Sequence, residues 1–162
     1  MKRLPTGELI DGDLVLTRTF RASAEDVWVS VTEPDHTARW FGRWEGEAGP
    51  GRTIKVQMAY EDETPWMEMR IDACEPPRRL ALSASDESGD WQVELLLEEA
   101  DGTTRLRFIQ HGLGKDLLGE VGPGWEYYLD MLVAVRDGSP RPEFEDYFPA
   151  MKDYFVRLAD GR

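Results

Sequence analysis

Asp13-Leu14-Val15-Leu16-Thr17-Arg18-Thr19-Phe20-Arg21-Ala22-Ser23-Ala24-Glu25-Asp26-Val27-Trp28, with its continuation to Arg39-Trp40-Phe41-Gly42, is the stretch that decides the fold. Leu14 to Arg21 reads as a β-strand, and Ser23 with an acid three residues later, Asp26, is the capping-box pattern of a helix start. A helix from Ala24 to Thr32 places Val27, Trp28 and Val31 on one face and Glu25 and Asp26 at the positive N-terminal end. Pro34 interrupts it. A second short helix from Asp35 to Arg39 leads into Trp40-Phe41-Gly42. A strand running into short helices in this way indicates a fold and names no chemistry.

Beyond Gly42, turn residues recur at Gly49-Pro50-Gly51, Glu61 to Pro65, Pro76-Pro77, Asp86 to Asp90 and Asp101-Gly102, the punctuation of an antiparallel sheet that ends at His111. Between them the pattern has period two. Ile54, Val56, Met58 and Tyr60 share a face, as do Met67, Met69, Ile71 and Ala73, and Trp91, Val93, Leu95 and Leu97. The opposite faces carry Lys55, Gln57, Glu68, Arg70, Asp72, Gln92 and Glu94. One side of this sheet is therefore wet and the other covered.

The cover is a helix from Gly124 to Arg136, begun by Gly122-Pro123 and stopped by Gly138. Its core arc holds Trp125, Tyr128, Met131, Leu132 and Val135, and Glu126, Asp130 and Asp137 point the other way. Leu129 and Val133 fall outside that arc. A helical extension over 143–159 follows, with Phe144, Tyr147, Phe148, Met151, Tyr154, Phe155 and Leu158 at three- and four-residue spacing. That stripe can pack on the preceding helix, cap a cavity mouth or serve a partner.

The 162 residues are 41% apolar and 31% charged, and include six Trp, six Phe and five Tyr. This is the composition of one globular domain spanning 1–162, long enough to bury roughly two-thirds of its unfolded surface. Thirty-two acidic against nineteen basic residues give a net charge of −13, which repels nucleic-acid phosphates and anionic lipid. No stretch approaches the roughly twenty apolar residues of a membrane span, and the N-terminus lacks the apolar run of a signal peptide. Cys74 is the one cysteine, which excludes an internal disulfide and a cysteine-based zinc site. A cytoplasmic protein is the expectation, with no metal, no cofactor, no nucleic-acid partner and no membrane.

Taken in order, these elements resemble the helix-grip, START-like architecture: an α+β fold whose curved antiparallel sheet of about six to seven strands wraps around a long C-terminal helix. The sequence resembles the SRPBCC superfamily, and within it the branch named after the activator of the heat-shock-protein ninety ATPase. Thr17-Arg18-Thr19-Phe20, Ala22, Val27-Trp28, Arg39-Trp40-Phe41-Gly42 and Gly124-Trp125-Glu126-Tyr127-Tyr128-Leu129 carry the likeness, which covers residues 13–138. Relatives of this kind include lipid and hormone carriers, aromatase/cyclases, stress proteins and chaperone cofactors. The shared residues mostly build a core, and no catalytic signature accompanies them.

The resemblance implies a cavity where sheet and helix fail to match in curvature. Its expected lining is Trp40 and Phe41 from the loop, Met58, Tyr60, Met67 and Met69 from the first strands, and Trp91, Phe108 and His111 from the later ones. Trp125, Tyr128, Met131 and Leu132 face them from the helix. These side chains can equally fill the interior to native density and leave no space. His36 and His111 are the side chains suited to general-base work near neutrality. An inward Arg18, Arg70 or Arg107 needs a carboxylate partner; for Arg70 the alternation favours exposed pairing. No phosphate-cradling loop, His-Glu-x-x-His or Gly-x-Ser-x-Gly is present. The expected function is non-catalytic binding of a small hydrophobic or amphipathic molecule. A protein-interaction module using the tail stripe ranks second and a cyclase/aromatase-like enzyme third, and a homodimer through a sheet edge or the tail is compatible with all three.

Overall fold

A computed structural model describes residues 4–58, 63–86 and 89–161. Among them, eight strands form one antiparallel sheet: β1 (Glu8–Ile10), β2 (Asp13–Phe20), β3 (Trp44–Glu45), β4 (Thr53–Gln57), β5 (Trp66–Glu75), β6 (Arg79–Asp86), β7 (Gly89–Ala100) and β8 (Thr103–His111). The strand order is β1-β2-β8-β7-β6-β5-β4-β3. Helices α1 (Ala24–Thr32) and α2 (Pro34–Thr37) connect β2 to β3, and α3 (Leu118–Asp137) and α4 (Lys152–Ala159) follow β8. This is the expected α+β helix-grip arrangement. The strands beyond the six or seven expected are explained by β1 and β3, edge strands of three and two residues that are too short to show a period.

The opening stretch folds as its pattern demands. Ser23 caps α1 by accepting from the Asp26 N–H, and Val27 and Val31 are buried. On β2, Leu14, Leu16 and Phe20 face the core, opposite Leu106 and Phe108 of β8 and their neighbours. Arg18 stands in the same inward row. Its Nε donates to Asp130 Oδ1 at 2.9 Å and its Nη2 to Glu126 Oε1 at 2.8 Å. Glu126 is only 1% exposed and also accepts from the Thr6 hydroxyl and the Thr6 and Gly7 backbone N–H groups. The polar direction expected for Glu126 and Asp130 is thus covered, because the inward guanidinium must be paired where it is buried.

The N-terminal half of α3 departs from expectation as well. The helix begins at Leu118, so Pro123 lies inside it rather than at its start. Gly119 and Gly122 of these early turns lie against α4: a Cβ at Gly122 would stand 2.5 Å from the Phe155 ring, and one at Gly119 2.9 Å from Val156. Packing of the tail holds turns that Pro123 would otherwise weaken. At the other end, Gly138 adopts φ +69° and returns its N–H to the Ala134 carbonyl, the expected stop.

The tail stripe is buried within the chain. Tyr147, Met151, Phe155 and Ala159 are enclosed, the Tyr147 hydroxyl donates to Asp130 and the Tyr154 hydroxyl to the Gly7 carbonyl. Phe144 and Val156 remain exposed.

On β5 the strict alternation fails at a bulge. Ile71 pairs with Leu82 and Ala73 with Ala81, so Asp72 is the extra residue and Cys74, opposite Leu80, turns inward in place of Ala73.

Arg18→Ala should destabilise the protein by about 3–5 kcal/mol in urea denaturation, because it strands a buried carboxylate. Tyr147→Phe should cost about 1 kcal/mol, one hydrogen bond. Gly122→Ala should cost about 1–3 kcal/mol by overpacking against Phe155, with the far-ultraviolet spectrum retained.

Candidate functional site

α3 is pinned to β2 on one side of the sheet, and the inward side chains of β4 to β7 face a space it does not fill. Its deeper chamber, about 130 Å³, is walled by Ile54, Val56, Ile71, Cys74, Leu80, Leu82 and Leu95 from the sheet and by Trp125 and Leu129 from α3. Val31, Thr37, Trp40, Phe41 and Trp44 line it from the α1–β3 segment, and it reaches the exposed Ala48 beyond β3. A second chamber of about 480 Å³ is lined by Met58, Met67, Met69, Trp91, Val121, Trp125 and Tyr128, and reaches the exposed residues Pro65 and Glu120. Phe41, Met69, Leu82, Val93 and Trp125 border both, so the two chambers adjoin.

Hydrogen bonds fix the aromatic walls. Trp40 Nε1 donates to the Ser30 carbonyl at 2.8 Å and Trp44 Nε1 to the Thr32 carbonyl at 2.7 Å, using acceptors at the end of α1 that have no helical partner. Trp125 Nε1 donates to Gln110 Oε1 at 2.8 Å, and Gln110 is almost wholly buried on β8. The Trp125 ring stacks on Phe41 with centroids 6.0 Å apart and lies 4.3 Å from Phe108. It is held on three sides. The methionine wall opposite has only dispersion contacts to hold it and can adapt.

The geometry and the sequence agree with one family. Residues 21–136 match the profile of the activator of Hsp90 ATPase homolog 1-like proteins. The chain belongs to that family. Among solved structures, CalU16 from Micromonospora echinospora is 28% identical with a TM-score of 0.76, over 98% of this chain and 97% of that one. A protein encoded by gene BPP1335 of Bordetella parapertussis is 24% identical with a TM-score of 0.75, covering 98% of this chain and 91% of its own. DynU16, a protein of the dynemicin biosynthetic locus, shares the fold at 22% identity and a TM-score of 0.70, over 83% of this chain and 51% of that one. No curated protein matches the sequence.

Within this activator-homolog fold, Trp40, Phe41, Met58, Met67, Met69, Trp91, Phe108, Trp125 and Tyr128 border the cavity. Tyr60 lies outside the described residues. Met131 and Leu132 are buried in the core further along α3 than Leu129, and do not line either chamber. Sequence reasoning missed Leu129, Cys74, Leu80 and Leu82. Leu129 was detectable from its i+4 spacing to Trp125, whereas Cys74 was hidden by the bulge.

His111 does not reach the cavity. It follows Gln110, which points inward, so its own side chain lies on the outer face of the sheet. There Nδ1 meets Asp13 Oδ2 at 2.9 Å, and Nε2 meets a Glu94 oxygen whose partner oxygen accepts from Arg79. Burial works against the imidazolium, but Glu94 and Asp13 outweigh it and hold the His111 pKa above its ordinary value. Arg70 pairs with exposed Asp72, the outward placement its alternation implied. Burial pushes the Cys74 thiol up, away from nucleophilic character. Among the described residues, no group of three or more His, Cys, Asp or Glu side chains is arranged to hold a metal ion. No helix there is long and apolar enough to cross a membrane.

Because the folded pKa of His111 is raised, its ion pairs stabilise the protein fully below the unfolded value near 6.5, and that contribution disappears as pH rises through the folded value. His111→Gln should therefore cost up to about 1 kcal/mol at pH 5.5 and much less at pH 9, read from paired urea titrations at the two pH values.

Proposed function

We propose that this protein is a non-catalytic binder of a small hydrophobic or amphipathic molecule, held between the sheet and α3. The observation that carries the reading is the pair of adjoining apolar chambers. An apolar void of about 150 Å³ is enough to take up benzene, and drug-sized pockets begin near 300 Å³. The 480 Å³ chamber exceeds both, and the 130 Å³ chamber behind it suits an apolar end group. Membership of a helix-grip family supports the same reading. The reducing cytoplasm, where Cys74 stays a thiol, is the compartment that suits it. The tail stripe that a protein-docking module would present is instead spent on α3 and the N-terminal segment.

A neutral fluorescent apolar probe, N-phenyl-1-naphthylamine, should bind saturably at one site, quench tryptophan fluorescence and raise the melting temperature. Val93→Trp, which places an indole where the chambers meet, should weaken that binding at least tenfold while the variant keeps the parent far-ultraviolet spectrum. A folded Val93→Trp protein that binds the probe as tightly as the parent would overturn the reading.

A further inference from the structure

The mouth of the second chamber carries charge of one sign. Glu120, in the first turn of α3, is exposed and lines the chamber beside Val121 and Gly124. Every other described residue bordering either chamber is uncharged, and the hydroxyls of Thr32, Thr37, Ser83 and Tyr128 are the main polar groups. Arg43, which sits 5.3 Å from the Trp66 ring and donates to Gln57, is engaged on the outer face, and Lys115 does not line the chamber.

An entering carboxylate would meet Glu120 with no cation among the described residues that line the chamber, on a protein whose net charge is −13. An ammonium group would be attracted at the same place. The rings of Trp91, Trp125 and Tyr128 border this chamber, and aromatic faces attract ammonium groups and repel carboxylates. Deeper placement of either charge is disfavoured, because the inner chamber offers it no partner. The apolar body must go in first and the head group must stay at the mouth.

Building on the binding role argued above, we infer that the cavity selects amphipathic cations: an apolar body within the chambers and a protonated or quaternary amine at Glu120. The test uses three ligands with one twelve-carbon tail, dodecyltrimethylammonium, 1-dodecanol and dodecanoate, below their micelle concentrations, displacing N-phenyl-1-naphthylamine at low salt. The expected order is ammonium, then alcohol, then carboxylate, with roughly tenfold between the extremes, the size expected for an exposed charge that attracts one head and repels the other. The spread should shrink as salt is added. Glu120→Gln should cut the ammonium-to-carboxylate ratio roughly threefold and leave the alcohol unchanged, and Glu120→Lys should cut it about threefold again, to near-equal affinities.

Equal affinities for the three heads, or a ratio indifferent to Glu120→Gln, would overturn the selectivity while alcohol binding upheld the cavity itself. Ammonium binding that survives Val93→Trp would be adsorption to the acidic surface and would also overturn it. Failure of all three ligands to bind would overturn both readings.

Discussion

The buried contact of Arg18 with Glu126 and Asp130 sets the position of everything around the cavity. Apolar packing is non-directional, and the inward row of Leu14, Leu16 and Phe20 would accept a helix at several rotations and offsets. A guanidinium in that row accepts far fewer. Glu126 and Asp130 are four residues apart, on one face of α3, so both can meet Arg18 only when that face is turned toward β2. Thr6 and the Gly7 N–H complete the bonding of Glu126, and Tyr147 that of Asp130, which ties the N-terminal segment and the tail to the same point. Burial opposes the Arg18 charge, yet Asp130 and Glu126 outweigh it and hold its pKa above the ordinary value.

A cavity follows from this placement. A helix with its side chains is about 10–12 Å across, and strands repeat every 4.8 Å or so. One helix anchored at β2 and β8 therefore cannot cover strands out to β3. The α1–β3 segment closes part of the gap, with Trp40 and Trp44 bonded to the end of α1, and the rest remains as the two chambers. Trp125 marks the boundary. Gln110 fixes its indole while Phe41 and Phe108 hold its ring, so that wall is preorganised, whereas Met58, Met67 and Met69 opposite can adjust to a guest.

The two faces of the sheet divide the ionisable groups by role. The outer face of the sheet carries His111 between Asp13 and Glu94 on β8, β2 and β7, and Arg79 of β6 between Glu94 and Glu75 of β5, partly exposed pairs that respond to pH and salt. The inner face carries Arg18 and its partners, which are shielded. Family membership and the shared fold of CalU16 place the chain among the activator-homolog proteins. A fold hosts many functions, so the chemistry of this member rests on its own cavity and on the charge at its mouth.

The sequence by itself determined the elements and the side of the sheet that is covered, since these depend on local spacing: the Ser23 cap, the α1 boundaries, the strand alternation and the Gly138 stop. It also placed Trp40, Phe41, Trp125 and the methionines near the interior, because period and topology together leave them little choice. Only the tertiary structure decided where Arg18, Glu126 and His111 point and what Cys74 faces. An inward charge is recognised by its partner, more than a hundred residues away for Arg18 and Glu126, and no local pattern records that distance. A single bulged residue on β5 exchanged Ala73 for Cys74 at the cavity wall. Empty volume, too, is a property of how far apart the anchored elements stand, and is written in no one residue.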